Sequence, residues 1–450
     1  MTTSNLNINL KIVLSLLFLS TLFYFNYYLD RTYFTVLIGL YGLAFIIYLS
    51  LLHKRFFEQR DHFKDMIVLA IFARFILLFS VPNLSDDYYR FLWDGWLINN
   101  GFNPFDFRPS DFMNDKTFAI APLQLLFDKM NSPNYFSVYP PVNQYIFSLA
   151  TFLFPNSIAG AVLIIKLFLF GFELLSISSL YKITQQLHWN KNAVLWYALN
   201  PLVIIEFCGN LHFEGIMIGF LLFSIYLLTI NRYLLSALVF SGAILTKLHP
   251  LMLLPFFLKF LGVKRGLSFV FIVSISCLLA STPLLLPFHS SLSRLYNITN
   301  SLELYYQTFE FNGGLYYLLR AVGYHIYGYN AIQLFGKILL LLNLLVLFIL
   351  FIKQKRTIKS LILSIALAYF TYNLLATTVH PWYILSILPF ALLVKFKTPI
   401  VWSAVVILSY FAYSTIDWHE NFYFIILEYT LIFAVFLYEL QTTKLLHEAE

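Results

Sequence analysis

The stretch AIQLFGKILLLLNLLVLFILFI, residues 331–352, decides the fold, because nearly all of its side chains are apolar. A helix that spans a bilayer needs about 20 apolar residues, so this run is long enough to cross. Similar runs, several of them shorter, recur at 12–29, 33–52, 66–82, 158–181, 193–209, 215–230, 233–247, 250–262, 267–287, 360–378, 382–394, 399–415 and 422–440. The pattern predicts an all-α, polytopic transmembrane helix bundle of about 12–14 spans.

The composition excludes several classes of protein. Of the 450 residues, 60% are hydrophobic and 11% are charged, whereas a soluble domain carries about 25% charged residues. A soluble enzyme, a nucleic-acid-binding domain and a disordered chain are therefore excluded. The net charge of +7 is spread over short loops, so no nucleic-acid partner is expected. Cys208 and Cys277 lie in apolar runs, and neither a disulfide framework nor a metal or cofactor site is predicted.

The orientation follows from the positive charges. With the N-terminus in the cytoplasm, the alternating runs place more than twice as many Lys and Arg residues inside as outside. The apolar run 142–154 is only 13 residues long, and counting it as a crossing would reverse this bias. We interpret it as a helix that dips into the outer leaflet, with a short full crossing as the alternative. Residues 1–450 then form one integral membrane domain with two long outer loops, 83–141 and 288–330.

The first outer loop begins with an acidic segment, SDDYYRFLWDGW, residues 85–96. Ser85 is a suitable N-cap residue, and acids in the first turn suit the helix dipole. Spacings of three and four place charge on one helix face: Asp87, Arg90 and Asp94. A second face carries aromatic rings: Tyr89, Trp93 and Trp96. The segment predicts an interfacial helix that lies flat with its aromatic face in the membrane.

Asp86 and Asp87 are the candidate catalytic residues. Consecutive helical side chains diverge by about 100°, so the two carboxylates cannot easily share a proton or a metal. One could face a cavity while the other caps the helix or pairs with Arg90. A carboxylate at the membrane surface can accept the proton of an alcohol as the alcohol attacks. The alternative is that both acids only cap and pair.

Other polar residues gather at junctions on the predicted outer side. Polar groups are expensive at membrane depth and by default mark functional sites. Those that could donate hydrogen bonds to a phosphate are Lys247, His249, Arg294, Arg320 and His380. Taken singly, each is better explained as a topology anchor or a capped junction, but their placement together on one side favours a site. The charged residues inside spans are predicted to be structural: Arg74, Lys166, Glu173 and Glu428.

A series of motifs then resembles a known family. In order, they are DDYYRFLWDGW (86–96), GFNPF (101–105), VYPP (138–141), ALNP (198–201), GNLHFEG (209–215), LTKLHP (245–250), EFNGG (310–314) and HPWY (380–383). The series resembles multi-span glycosyltransferases of the GT-C superfamily, most closely the polyprenol-phosphate-mannose-dependent mannosyltransferases. The likeness runs from about residue 66 to about residue 395. One departure is that the chain has two additional N-terminal spans. In the simplest family pattern the acidic loop follows the first span.

The resemblance implies an inverting transfer of a sugar, expected to be mannose, from a polyprenyl-phosphate carrier to a hydroxyl of a glycan or lipid acceptor. It implies that Asp86 or Asp87 is the general base and that later basic residues hold the carrier phosphate. The candidate substrate-binding residues are Arg90, Asp94, His212, Lys247, His249, Arg320 and His380. The expected location is a bacterial inner membrane with the site facing outward and membrane lipids around the spans.

Three other functions fit a helical membrane protein with polar loops. A transporter or flippase of lipid-linked sugars would be expected to show paired repeats and broken helices with charge near the membrane midplane, whereas the polar groups here gather at one face. A polymerase or ligase of lipid-linked glycans would also work at the outer face, but the acidic segment resembles enzymes that transfer single sugars. A structural subunit would not need the acids.

Overall fold

A computed structural model describes residues 3–53, 61–114, 121–415 and 418–442. Within these ranges the chain forms helices, and the extended pairing is an isolated backbone bridge between Phe311 and Thr378. The predicted all-helical, polytopic fold class is confirmed. Five basic residues used for the orientation lie outside the described residues: Lys54, Arg55, Arg60, Lys116 and Lys444.

The helices follow one another along the chain with short connections. They are α1 Thr3–Tyr27, α2 Phe34–Leu51, α3 His62–Phe75, α4 Asp87–Asn99, α5 Pro109–Asn114, α6 Ala121–Lys129, α7 Pro141–Leu153, α8 Ile158–Gln186, α9 Ala193–Ala198, α10 Pro201–Val203, α11 Glu214–Thr229, α12 Tyr233–Ile244, α13 Leu254–Leu261, α14 Val263–Leu285, α15 Phe288–Gln307, α16 Gly314–Tyr327, α17 Ile332–Lys353, α18 Ile358–Leu374, α19 Leu388–Leu393, α20 Thr398–Val405 and α21 Phe422–Thr442. A π-helical turn, Ile204–Gly209, continues α10, and 3₁₀ turns occupy His249–Leu253, Tyr383–Ser386 and Val406–Ser414.

Six of the described helices are long and apolar enough to cross a membrane, or seven if the bent pair Pro201–Gly209 and Glu214–Thr229 is one span. Other predicted runs are broken into shorter pieces. Pro255 and Pro389, each in the first turn of a short helix, start α13 and α19 after a 3₁₀ turn. Broken backbone at membrane depth is tolerated where it is buried in protein or lines a cavity.

Helix α4, which begins in the acidic segment, is fixed against α7 by aromatic packing. The rings of Phe91 and Phe147 stack with centroids 4.6 Å apart. Gly95 allows this close approach, because a Cβ there would lie 2.3 Å from the backbone oxygen of Phe147. Trp93 is fully buried against Phe112. The predicted helix is therefore present, but this part of its aromatic face is covered by protein.

Helix α7 matches the short apolar run in the first loop. It has 13 residues, and at 1.5 Å per residue it is about 20 Å long, less than the roughly 30 Å of a hydrocarbon core. Its N-terminus is tied to the end of α12, since the Val142 amide donates to the Leu245 carbonyl at 3.0 Å. Its dip into the outer leaflet stays a prediction.

A fully buried ion pair links α3 to α8. The Arg74 guanidinium lies 2.9 Å from Glu173, whose other oxygen accepts from the Tyr197 hydroxyl at 2.6 Å. Arg74 also donates to the Ala198 carbonyl at 2.6 Å and so closes the C-terminus of α9. The predicted structural role of both charges is confirmed by these partners.

Lys166 of α8 holds the turn that follows α3. Its ammonium donates to the Leu77 carbonyl at 2.8 Å and to the Ser80 hydroxyl at 2.6 Å. This turn leads directly into the acidic segment. Glu428 is likewise structural, because it accepts from the Trp402 indole at 2.9 Å and from the Asn312 amide at 3.1 Å.

Candidate active site

A cavity of about 850 Å³ lies where several broken helices meet. Four segments supply half of its lining residues, 84–91, 212–214, 247–249 and 376–383, and residues 131–140 of the first outer loop supply a further part. These segments lie far apart in the sequence and were all predicted to face the same side of the membrane. The structure thus brings together junctions that the sequence could place only at a common depth.

The first break separates α10 from α11, whose axes differ by 113°. Asn200 starts α10 by accepting a hydrogen bond from the Leu202 amide at 3.0 Å. The π-helical turn then ends at Gly209, and the chain reverses into α11. This reversal brings His212 and Glu214 to the cavity wall.

The second break, between α12 and the 3₁₀ turn at 249–253, supplies a cation. The Lys247 ammonium lies 2.8 Å from one oxygen of Glu214. The other oxygen of Glu214 is buried and has no hydrogen-bond partner among the described residues. His249 packs edge-on against Tyr369 and stacks on Tyr372, at 5.3 and 5.9 Å between ring centroids.

The third break, between α18 and α19, supplies an aromatic stack. Backbone bonds from Phe311 to Thr377 at 3.1 Å and from Val379 to Phe311 at 2.7 Å fix this loop. The Trp382 indole lies between two imidazoles, with ring centroids 3.5 Å from His212 and 4.5 Å from His380. The three rings form one wall of the cavity.

His380 is neutral in this wall. Burial, together with the nearby His212 and Lys247, lowers the pKa of His380 to about 3. Its Nδ1 is buried and has no hydrogen-bond partner among the described residues. A neutral imidazole still offers one donor and one acceptor to a ligand. His380 therefore differs from the cationic phosphate ligand that the sequence alone suggested.

The two aspartates have different environments. Asp86 forms an ion pair with Arg31, whose guanidinium also lies 5.0 Å from the centroid of the Tyr413 ring. Asp87 accepts from the Asn131 amide at 2.8 Å, and no cation of the described chain contacts its carboxylate. Arg31 was not among the predicted site residues, although its place in the loop after the first span was a usable signal.

The start of α4 lies one residue later than predicted. Asp86 occupies the N-cap position, and the Ser85 hydroxyl accepts from the Asp87 amide at 3.3 Å. Ser85 precedes the N-cap residue, but its hydroxyl still accepts from a first-turn amide, as the side chain of a capping residue would.

Arg90 and Asp94 pair with each other rather than with the catalytic candidates. The Arg90 Nε atom donates to Asp94 at 2.8 Å, and its Nη1 atom donates to the Ser132 and Tyr135 carbonyls, both at 2.9 Å. Asp94 is fully buried and is not among the cavity-lining residues. Arg90 does line the cavity, and its Nη2 has no hydrogen-bond partner among the described residues.

Two basic residues lie away from the cavity. Arg294 pairs with Asp106 at 2.6 Å and so joins α15 to the first loop. Arg320 pairs with Glu310 and lines a separate hollow. The structure therefore groups Asp86, Asp87, Arg90, His212, Lys247, His249 and His380, and leaves out Asp94 and Arg320.

An acidic first loop and basic residues of later loops around one cavity are what the resemblance to GT-C glycosyltransferases implied. Residues 13–262 match the sequence family described as alpha-(1->6)-mannopyranosyltransferase, N-terminal domain, and the chain belongs to this family. The match includes the second part of α1 and all of α2, which the motif resemblance had left outside.

Two curated relatives are alpha-(1->6)-mannopyranosyltransferase A of Corynebacterium glutamicum and of Mycobacterium tuberculosis. The first is 24% identical over 233 residues, which are 48% of this chain and 46% of the relative. The second is 26% identical over 195 residues, which are 42% of this chain and 36% of the relative. The matched regions thus span less than half of each relative. No solved structure matches the chain at a significant level.

Proposed function

We propose that this integral membrane protein transfers mannose from a polyprenyl-phosphate carrier to a hydroxyl of a glycan or lipid acceptor, at the outer face of a bacterial inner membrane. The observation that carries the proposal is the convergence of Asp86 and Asp87 with Lys247, His249 and His380 around one cavity. The names of the two relatives supply mannose and the α-(1→6) linkage.

Asp87 is the general base in this proposal. Arg31 holds Asp86 in an ion pair, so that carboxylate is less available to an acceptor hydroxyl. Asp87 accepts only a neutral amide hydrogen bond from Asn131 among the described residues, so its second oxygen is available to an acceptor hydroxyl. Asp86 and Arg31 then position the start of α4.

The opposite wall of the cavity binds the carrier phosphate. Lys247 supplies the positive charge there, and the unpartnered Nδ1 atoms of His249 and His380 supply neutral hydrogen-bonding groups. Leu248 also lines the cavity and is 41% exposed, which suits contact with a polyprenyl chain. Buried polar atoms normally have partners, so those left open in a cavity indicate a polar ligand.

The chemical step is a single in-line displacement. Asp87 takes the proton of the acceptor hydroxyl as its oxygen attacks the anomeric carbon. The new carbon–oxygen bond forms while the bond to the phosphate oxygen breaks, and polyprenyl phosphate leaves with the electron pair. Inversion at this carbon means that an α-linked product requires a β-linked donor. Fixed hydrogen-bond donors stabilise the charge that develops on the leaving phosphate.

The test is transfer by the purified protein from polyprenyl-phosphate mannose to an α-(1→6)-linked mannobiose. Asp87→Asn is expected to lower kcat by about 10²–10⁴-fold, the usual contribution of a general base. Asp86→Asn is expected to lower kcat much less. Asp111→Asn is the matched control, because Asp111 lies in the same loop, pairs with the exposed Arg108 and does not line the cavity.

Three results would argue against the proposal in different ways. A larger loss in Asp86→Asn than in Asp87→Asn would transfer the role of base to Asp86. Full activity in both variants would remove the base mechanism. Movement of a lipid-linked sugar across vesicles without transfer to any acceptor would favour a flippase.

A further inference from the structure

We propose that a second hollow next to the cavity is a subsite for the acceptor, which holds sugar units behind the one that reacts. This rests on the proposed function and adds a site for an extended glycan. The hollow has a volume of about 400 Å³ and is lined by Glu310, Arg320, Trp418, His419, Glu420 and Phe422.

Trp418 connects the hollow to the cavity, because it lines both. Its φ of 51° lies in the left-handed region, which a bulky side chain rarely adopts. Its ring stacks on Phe311 at 5.6 Å and lies 6.0 Å from Phe309, yet the residue remains 38% exposed. Such strain is kept where the surroundings impose it, often at ligand sites. The exposed indole offers a flat apolar surface to the C–H face of a pyranose.

Arg320 is held rigidly in the wall of the hollow. Its guanidinium carbon lies 4.4 Å from the centroid of the Tyr317 ring and 5.2 Å from that of Phe422. Its Nη1 atom donates to Glu310. An arginine has five N–H donors, and the contacts of the described residues engage Nη1 alone, so donors remain for sugar hydroxyls.

The two carboxylates of the hollow are also fixed in place. Glu310 accepts from the Tyr316 hydroxyl at 2.6 Å and from the Asn330 amide at 3.0 Å. Glu420 accepts from the backbone amide of Asn312 at 2.6 Å. Each carboxylate oxygen has two lone pairs, so both groups can still accept from hydroxyls.

The charge of the hollow selects a neutral ligand. Its described lining carries two carboxylates against one guanidinium, which disfavours a phosphate. Aromatic surface with a few fixed donors and acceptors is the usual lining of a small-molecule site, and a neutral polyol such as a sugar fits this set. Arg320, predicted to hold phosphate, then binds acceptor hydroxyls instead.

The test compares the binding of α-(1→6)-linked mannotetraose and methyl α-mannoside to the full chain in nanodiscs, by saturation-transfer NMR titration. Trp418→Ala is expected to weaken mannotetraose binding about tenfold, as for the loss of one aromatic contact, and to change methyl α-mannoside binding less than twofold. Trp418→Phe should retain most of the affinity. Trp189→Ala is the matched control, because Trp189 follows the C-terminus of α8 and lines neither the cavity nor the hollow.

The subsite is overturned if wild-type protein binds neither probe, if Trp418→Ala weakens both equally, or if folded Trp418→Ala and Trp418→Phe bind mannotetraose like wild type. Displacement of bound mannotetraose by inorganic phosphate in wild type but not in Arg320→Gln would also overturn it, as that identifies an anion site. Binding does not require Asp87, so the Asp87→Asn variant should bind mannotetraose normally. Wild type that binds but never transfers mannose would overturn the proposed function and leave the subsite standing.

Discussion

The protein holds buried charge in two regions that are built in opposite ways. Around Arg74 and Glu173 both charges are fully buried and bind each other, and Tyr197 and the Ala198 carbonyl complete their hydrogen bonds. Around the cavity, polar atoms of six lining residues have no hydrogen-bond partner among the described residues. These atoms are Arg90 Nη2, His212 Nε2, Glu214 Oε2, His249 Nδ1, Asn373 Oδ1 and His380 Nδ1.

The difference separates structural from functional charge in a chain where both are buried. A saturated pair in a membrane core holds helices together and leaves nothing for a ligand. Open donors and acceptors cost stability while the cavity lacks its ligand, and their retention indicates that a ligand supplies the missing partners. Changes in the first region should therefore affect folding, and changes in the second should affect binding.

The largest expected effect is on stability in the saturated region. Glu173→Ala leaves the Arg74 guanidinium buried without its partner, and such a loss costs about 3–5 kcal/mol. The free energy of unfolding in detergent, followed by tryptophan fluorescence, should fall accordingly, while the molecules that remain folded keep the wild-type KM for the donor. Glu303→Ala, at an exposed position of α15, should stay within about 0.5 kcal/mol of wild type. An altered donor KM with unchanged stability would contradict the separation.

The sequence predicted these two regions unequally. Apolar runs were enough for the fold class. The common membrane side expected for Asp87, Lys247 and His380 stays a prediction, and it agrees with their convergence on one cavity. Depth does not fix lateral position, so the sequence could not show that Arg320 lies in a different hollow. Helical spacing placed Asp94 on the same face as Asp87. It could not show that Asp94 is buried beneath Ser137 and Gln144, which donate hydrogen bonds to it.

The aromatic wall could not be predicted from the sequence, and for the ion pair of Asp86 the only signal was the place of Arg31 in the loop after the first span. The stack of His212, Trp382 and His380 depends on a 113° bend and on a loop more than 160 residues further along the chain. Arg31 reaches Asp86 from the connection between α1 and α2. Such contacts come from tertiary packing, which local patterns in a single sequence do not contain.

A smaller effect is expected for Lys247→Met, which removes the cation proposed to hold the carrier phosphate. Hydrogen bonds to charged groups contribute about 1.5–3 kcal/mol, so the donor KM should rise about 10–100-fold. Because Glu214 would then be buried without a partner, the double variant Lys247→Met/Glu214→Gln tests the same step in a more stable protein. Lys129→Met, an exposed lysine of the first loop, is the control. A donor KM equal to wild type in the double variant would rule out Lys247 as the phosphate ligand.

The smallest effect is a pH dependence of stability that comes from His380. Its pKa is about 3 in the folded protein, whereas an unfolded histidine has a pKa of about 6.5. Below pH 6.5 the unfolded chain therefore binds the extra proton, and stability falls with decreasing pH by at most about 1.4 kcal/mol per pH unit. His380→Phe keeps a ring against Trp382 and cannot bind that proton, so its unfolding midpoint should fall less between pH 7.5 and pH 5 than that of wild type. His325→Phe, at an exposed position of α16, should behave like wild type. Parallel curves for all three proteins would show that His380 is not buried in its neutral form, and the set of unpartnered cavity residues would lose one of its six members.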